Sequence, residues 1–239
     1  GQGFANGVGF ACAEAFLAAR FNREGFPVVD HYVYALCSDG DLMEGVCQEA
    51  ASLAGHLKLG KLIYFYDDNH ITIEGDTQLA FTENVDQRFE AYGWHVQRLA
   101  SPNDIEELEQ AIARAQKDPR PSLISVRTHI AYPAPHAQDT AESHGAPLGP
   151  EEVAATKKIL GLPTDQEFYI PSDVAEMTAA IKARGQKAEQ EWSEMFARYR
   201  QQYPDLAREY DQWMRRELPE GWDKGLPEFP PDPKGMATR

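Results

Sequence analysis

The sequence has few cysteines, no long apolar run and no excess of positive charge. Its three cysteines, Cys12, Cys37 and Cys47, are odd in number and show no metal-binding spacing. They predict reduced, mostly buried thiols in a cytoplasmic protein, because disulfide frameworks need more cysteines. No apolar run is long enough to span a bilayer and no signal peptide is visible, so the sequence predicts a soluble globular class.

The formal net charge is −15, from 23 Lys and Arg residues against 38 Asp and Glu residues. Such a surface repels phosphates, which argues against nonspecific binding of nucleic acids or anionic membranes. A phosphate-bearing ligand would therefore need a local device in this chain, such as a metal ion or a set of backbone amides.

The chain has 239 residues, which is long enough to bury a substantial core. This length predicts one large domain, or one domain with an extension. The sequence begins at Gly1 with GQGFANGVGFACAEAF, a glycine-punctuated loop that runs into an alanine-rich helix without an initiator methionine. We therefore expect the chain to be a piece of a longer protein.

Strand-like and helix-like segments alternate along the first half of the chain. Short apolar runs predict strands, and the longer segments between them predict helices. The predicted strands are 31–37, 61–66, 94–99 and 122–127, and the predicted helices are 4–20, 42–57, 84–92 and 103–116. This alternation predicts parallel strands joined by crossover helices, hence an α/β sheet with helices on both faces.

The pattern changes after residue 150. Helices near 151–160 and 172–184 lead into a charged helical region at 185–217 that carries several aromatic residues. Its simplest interpretation is an amphipathic extension packed on the domain, and the alternative is a partner-binding helix. The proline-rich stretch 226–235 predicts an extended linker. The predicted divisions are an α/β domain at 1–150, a helical extension of it at 151–218 and a linker at 219–239.

Polar segments follow three of the predicted strands, at Ser38–Asp41, Asp67–His70 and 128–145. Ligands of open α/β sheets bind beyond the carboxyl ends of the strands, so these segments form the candidate site. Asp39 and Asn69 each lie just beyond a strand. Neighbouring parallel strands would bring these two side chains close together.

A carboxylate, an amide oxygen and nearby carbonyls are hard ligands that suit Mg²⁺ or Ca²⁺, and such an ion would take further oxygens from a phosphate. Gly40 would let a phosphate approach the backbone, and a helix starting near Leu42 would point amides at it. The alternative is structural, with Asp39 and Asp41 capping a helix and 67–69 forming an Asx-type turn. The occurrence of both segments at equivalent strand ends favours the metal site.

Several longer segments carry a family resemblance. An Asp-Gly pair followed by an asparagine at the next strand end resembles the thiamine diphosphate motif. The stretch SDGDLMEGVCQEAASLAGHLKLGKLIYFYDDNHITIEG is similar to the transketolase family, as are GQGFANGVG, AYGWHV and SHGAPLG. The resemblance continues to LPEFPPDPKGMATR. It implies most of a diphosphate-binding domain and the start of a linker towards a pyrimidine-binding domain outside this sequence.

The resemblance implies an activity and a set of ligands. The activity is transfer of a two-carbon ketol unit from a ketose phosphate to an aldose phosphate in the pentose phosphate pathway, dependent on thiamine diphosphate and Mg²⁺ (or Ca²⁺). Asp39 and Asn69 would be side-chain ligands of the metal, and the Ile71 carbonyl would be a third. Gly40 would contact the diphosphate.

The resemblance also implies roles for four residues outside the metal site. His144, in SHGAPLG, would hydrogen-bond to the cofactor phosphate or the substrate region, although a loop histidine can also be merely structural. Ile73 and Ile130 would pack beside the thiazolium ring. Glu44 would link the two cofactor sites across a homodimer, or it would simply complement the helix dipole.

Two positions depart from the family pattern. Ser38 stands where the motif usually has its first glycine, which would be costly if that backbone needed a positive φ. Asp68 stands in place of the first residue of a paired asparagine, while Asn69 is kept. Two further interpretations are weak: His129, His136 and His144 match no common zinc spacing, and no strand precedes GQGFANGVG as a dinucleotide fingerprint requires.

Rival functions stay open at this point. One is a related thiamine enzyme of the dihydroxyacetone synthase type, and another is a noncatalytic module that holds Mg²⁺ and diphosphates or only a partner subunit. In the family a complete site forms between two chains, one holding the diphosphate and the other the pyrimidine. We therefore expect residues 1–239 alone to be inactive.

Overall fold

The structure is a computed structural model that describes residues 1–231 and 233–235. The predicted linker at 219–239 includes residues 232 and 236–239, which lie outside the described residues. The strands in the described residues are β1 (Val33–Ser38), β2 (Leu62–Asp68), β3 (Ile71–Thr72), β4 (Gly75–Asp76), β5 (His95–Leu99) and β6 (Ser122–Arg127). The α-helices of the same residues are α1 (Gln2–Phe21), α2 (Asp39–Met43), α3 (Gly45–Leu57), α4 (Val85–Ala91), α5 (Ile105–Ala115), α6 (Pro150–Ile159), α7 (Ser172–Gln202) and α8 (Pro204–Met214).

Four of the strands form one parallel sheet in the order β1-β2-β6-β5. The pairing begins with Val33 opposite Leu62, and β6 joins from the other side with Ser122 opposite Ile63. β3 and β4 form a separate antiparallel hairpin beyond the carboxyl end of β2. All four predicted strands are therefore present, and the carboxyl ends of β1, β2 and β6 share one edge of the sheet.

Helices cover both faces of this sheet, as the alternation predicted. Side chains alternate across a strand, so Leu62, Tyr64 and Tyr66 of β2 face the core shared with α1, α3 and α4. Ile63 and Phe65 of the same strand face the core shared with α5. The predicted α/β architecture is confirmed.

The small residues of α1 allow this helix to pack closely on the sheet. A Cβ atom added at Gly7 would lie 2.0 Å from the Tyr64 hydroxyl oxygen. The ring of Phe4 stacks on that of Tyr64 with centroids 4.2 Å apart. The tyrosine hydroxyl donates to the Phe4 carbonyl at 2.5 Å, so the close approach also satisfies its polar end.

Two predicted helix boundaries are wrong. The helix predicted at 42–57 begins earlier, at Asp39, and is interrupted at Glu44, whose ψ of 132° is extended. The segments predicted at 172–184 and 185–217 form one helix of 31 residues, α7, followed by α8. The chain breaks between them at Tyr203, because Pro204 disfavours a helical conformation of the residue before it.

The carboxyl-terminal helices pack on α1 through aromatic side chains. The Tyr199 hydroxyl donates to the Phe21 carbonyl at 2.7 Å, and the Trp213 ring meets the Phe21 ring edge-on at 5.1 Å. The first half of α7, by contrast, is exposed along its length. Among the helices of residues 1–231 and 233–235, none is long and apolar enough to cross a membrane.

Candidate functional site

The parallel register brings the predicted site segments together at the carboxyl edge of the sheet. Ser38, the last residue of β1, lies opposite Asp67 of β2, so the chain leaves the two strands side by side. Asp39 is the first residue of α2, and Asn69 directly follows β2. α2 also contacts β3, and β3 contacts the 3-10 helix Ala141–His144, which brings the third polar segment to the same place.

The two carboxylate oxygens of Asp39 have different surroundings. The side chain is almost fully buried, at 1% exposure. Its Oδ1 atom accepts a hydrogen bond from the Tyr66 hydroxyl. Its Oδ2 atom is buried and has no hydrogen-bond partner. A buried carboxylate oxygen without a donor is costly, and native structures keep such groups where a ligand or ion completes them.

Burial raises the pKa of the Asp39 carboxyl above its ordinary value, and the negative charge of Asp68 adds to the increase, whereas the Tyr66 hydroxyl and the His70 backbone N–H oppose it. Burial likewise raises the pKa of Tyr66, and the nearby Asp39 carboxylate adds to this increase. The tyrosine therefore keeps its proton and donates a hydrogen bond to Asp39. A cation beside Oδ2 would favour the charged carboxylate.

Asp41 has the structural role that the alternative interpretation gave it. It lies at the third position of α2, and its Oδ2 accepts from the Ser38 backbone N–H at 3.1 Å, completing a capping box. Ser38 has φ −129° and is extended. The cost considered for a serine at this place does not arise, since the turn needs no positive φ.

Asn69 combines an Asx-type turn with a position at the carboxyl end of β2, next to the end of β1 that leads into Asp39. Its Oδ1 accepts from the Ile71 backbone N–H at 2.8 Å, which is the turn bond that the structural alternative predicted. Its Nδ2 donates to Asp67 Oδ2 at 3.1 Å, and Asp67 also accepts a hydrogen bond from Thr128. The amide is thereby fixed in orientation, and its oxygen retains a second lone pair for an ion.

Asp68 is compensated by basic groups. Its two oxygens lie 3.1 Å from His70 Nε2 and 2.8 Å from Arg98 Nη2. Arg98 also reaches Asp86 Oδ2 at 2.8 Å. The aspartate that replaces an asparagine of the family pattern is thus held in an ion-pair network, at the next position along the chain from Asn69.

The remaining predicted site residues differ in their solvent exposure. Gly40 is exposed, and open space lies where its Cβ atom would be. Ile71 is half-buried in β3, whereas Ile73 lies at the hairpin tip with 69% exposure. His144 is exposed at the end of its 3-10 helix. Ile130 is half-buried in the loop after β6, where its carbonyl accepts from the Asp139 N–H at 3.1 Å.

Glu44 lies at the junction of α2 and α3, where it ends one helix and precedes the other. Its side chain is exposed. Both interpretations of this residue stay predictions, because an exposed acid at a helix N-terminus can complement the dipole or face a second chain.

The loop histidines do not converge on one another. His129 Nδ1 lies 2.9 Å from Asp139 Oδ2, and His136 Nδ1 lies 2.8 Å from Glu152 Oε2. Within the described parts of the chain, no group of three or more His, Cys, Asp and Glu side chains could hold a metal ion. The oxygen set considered for Asp39 and Asn69 has a single carboxylate, so a ligand would have to supply the remaining oxygens.

Sequence patterns did not single out Tyr66, which donates to Asp39, or Arg98, which pairs with Asp68 next to Asn69. One signal was available for Tyr66. A tyrosine inside a buried apolar strand needs a hydrogen-bond partner for its hydroxyl, and a polar residue at the neighbouring strand end is the nearest source.

The amino-acid sequence of this chain is similar to that of known proteins. Residues 1–219 match the family model described as transketolase, thiamine diphosphate binding domain. A transketolase of Halalkalibacterium halodurans is 48% identical over 239 residues, covering 100% of this chain and 36% of that protein. A transketolase of Aquifex aeolicus is 51% identical over 239 residues, covering 100% of this chain and 34% of that protein.

The fold of this chain is also similar to that of solved transketolase structures. Transketolase from Leishmania mexicana superposes with a TM-score of 0.92 at 43% identity, over 95% of this chain and 34% of that chain. Transketolase from Pichia stipitis, in complex with sedoheptulose 7-phosphate, superposes with a TM-score of 0.91 at 44% identity, also over 95% and 34%. The chain thus spans about a third of the length of the relatives it matches.

Proposed function

The chain belongs to the transketolase family, through its thiamine diphosphate-binding domain, and from that premise we propose that it supplies the metal and diphosphate half of a ketol-transfer site. The complete protein would have these 239 residues together with regions matching the rest of the relatives' length. Its substrates would be sugar phosphates, because Pichia stipitis transketolase has been solved in complex with xylulose 5-phosphate and with sedoheptulose 7-phosphate. The cofactor, when bound, supplies a carbanion that attacks the ketose carbonyl and an electron sink for the reaction.

The single observation that carries the proposal is the buried, unpartnered Oδ2 atom of Asp39. A carboxylate oxygen, the Asn69 amide oxygen and the Ile71 carbonyl form a hard donor set that suits Mg²⁺ or Ca²⁺. The open space at Gly40 leaves room for a phosphate to approach the backbone. Such an ion would neutralise the diphosphate locally, which explains how a chain of charge −15 can bind it.

We give the outer residues roles that follow the family pattern. His144 would orient the cofactor phosphate or the substrate, and Ile73 and Ile130 would pack beside the thiazolium ring. The exposure of Ile73 and His144 supports this, because side chains that complete a site with another chain stay uncovered in one chain alone. Glu44 would meet the partner subunit in a homodimer.

The test is titration of the complete protein with thiamine diphosphate at fixed Mg²⁺. We expect Asp39→Ala to weaken cofactor binding by more than the roughly 10–100-fold that losing an outer-shell partner of a metal costs. Asp41→Ala is the matched control, because it removes a neighbouring carboxylate whose oxygens both have partners, the backbone nitrogens of Ser38 and Gly1. It should cost about 1 kcal/mol of stability and leave cofactor affinity nearly unchanged.

Two results would contradict the proposal. Equal cofactor affinity of wild type and Asp39→Ala in the presence of Mg²⁺ would remove the metal assignment. A complete protein that binds cofactor but turns over no ketose phosphate with any aldose acceptor would favour a binding module. Substrate profiling of the complete protein separates transketolase from the dihydroxyacetone synthase type.

A further inference from the structure

The hydroxyl of Tyr66 engages only one of the two oxygens of the Asp39 carboxylate. The tyrosine donates to Oδ1, while Oδ2 has no partner although it is fully enclosed. The carboxylate is therefore held in an asymmetric state, in which one oxygen is satisfied and the other is available. The sequence and family comparisons assign no role to this tyrosine.

The donor itself is held rigidly. Tyr66 lies in the middle strand β2, it is 3% exposed, and its ring belongs to the core between the sheet and α1. A buried ring in a packed strand has little freedom to move its hydroxyl. Asp39, by contrast, lies at the first position of a five-residue helix and has a terminal torsion with a broad energy well. The tyrosine is thus the fixed member of the pair, and it sets the orientation of the carboxylate.

We propose that Tyr66 is a positioning residue for the divalent cation, holding Asp39 so that Oδ2 faces the ion before it binds. This inference rests on the proposed function of Asp39 as a ligand. Without the hydroxyl, the carboxylate keeps only the weaker interaction with the His70 backbone N–H, so ion binding must supply more of its ordering. Outer-shell partners of this kind typically contribute 10–100-fold to metal affinity.

Tyr64 provides a matched control on the same strand. It lies two residues before Tyr66, so it points to the same face of the sheet, and it is fully buried. Its hydroxyl donates to the Phe4 carbonyl at 2.5 Å and not to a site residue. Tyr64→Phe and Tyr66→Phe therefore each remove one buried hydroxyl and leave one acceptor without its donor. Only Tyr66→Phe changes the surroundings of Asp39.

The experiment measures the Mg²⁺ concentration needed for half-maximal binding of thiamine diphosphate to the complete protein, by calorimetry. Urea unfolding without cation is measured in parallel. We expect Tyr66→Phe to raise the Mg²⁺ requirement by about 10–100-fold, with full cofactor binding recovered at saturating Mg²⁺. Tyr64→Phe should change the requirement less than about 2-fold, while both variants lose comparable stability. If Tyr66→Phe folds only with cation, the Mg²⁺ midpoint of refolding provides the same comparison.

The outcomes separate this inference from the proposed function. An unchanged Mg²⁺ requirement in Tyr66→Phe, or an equal rise in both tyrosine variants, would overturn the positioning role. Asp39→Ala is measured alongside them. If it also leaves Mg²⁺-dependent binding intact, the proposed ligand site itself is wrong. If it abolishes that binding while Tyr66→Phe behaves as wild type, the site stands and only the role of Tyr66 fails.

Discussion

Replacement of Gly55 by alanine is a severe test of how α3 packs behind the site. A Cβ atom at this position would lie 1.8 Å from the Tyr92 carbonyl oxygen and 3.4 Å from Cδ1 of Trp94. The first of these neighbours is backbone, in the turn between α4 and β5, so no change of rotamer can relieve the clash. The helix would have to move by more than about 1 Å, in a core that is close-packed.

Two opposing effects set the expected magnitude. Alanine is favoured over glycine inside a helix by about 0.5–1 kcal/mol. Overpacking of a well-packed core typically costs about 1–3 kcal/mol, and backbone contacts fall at the upper end because they cannot yield locally. We therefore expect Gly55→Ala to lower the free energy of unfolding by about 2 kcal/mol.

Urea unfolding followed by tryptophan fluorescence measures this effect close to the site, because Trp94 donates its Nε1–H to the Ala51 carbonyl of α3 at 2.8 Å. Gly185→Ala is the matched control. Gly185 lies in exposed α7 and nothing lies within 4 Å of its added Cβ, so helix propensity alone should stabilise that variant by about 1 kcal/mol. A Gly55→Ala variant as stable as wild type would refute the reasoning, since α3 could then move away from the Tyr92 carbonyl at no cost in free energy.

Two further predictions concern pH and the isolated chain. Burial, together with the positive charges of Arg120 and Arg114, lowers the pKa of His95 below its ordinary value near 6.5, against the opposing effect of Asp118. The unfolded state then binds the proton more readily than the folded state, so the stability that His95 contributes above pH 6.5 is lost as the pH falls. His95→Gln should therefore flatten the decline in melting temperature between pH 7 and pH 5. An equal slope in the variant and the wild type would count against the lowered pKa. Residues 1–239 alone expose large apolar side chains, among them Phe10, Phe16 and Leu36 with 64%, 62% and 81% of their surface accessible, so the chain should self-associate in sedimentation experiments. The chain alone should also show no ketol transfer, even with saturating cofactor and Mg²⁺. A clean monomer at high concentration, or sustained turnover by the purified chain, would contradict these expectations.

Local pattern was sufficient to predict the elements of the α/β domain. Continuous apolar runs such as 61–66 marked the buried strands, because a strand covered on both faces has no polar side to show. The boundaries were less determined. The capping box of Ser38 and Asp41 starts a separate short helix at the strand end, and the extended backbone of Glu44 ends it. Apolar periodicity does not reveal that start, since both segments continue the same pattern.

The candidate site divides in the same way. Asp39 and Asn69 could be proposed from the sequence, because carboxyl ends of neighbouring parallel strands meet at one edge whatever the details of packing. Which oxygen of Asp39 is satisfied, and by which donor, depended on the tertiary structure. The β1–β2 register places Tyr66 opposite Cys37, two residues before Asp39, and the Tyr66 hydroxyl reaches Oδ1 while Oδ2 is buried without a partner. Hydrogen bonds between residues 27 positions apart depend on the rotamers and burial of the whole neighbourhood, which no local stretch of sequence specifies.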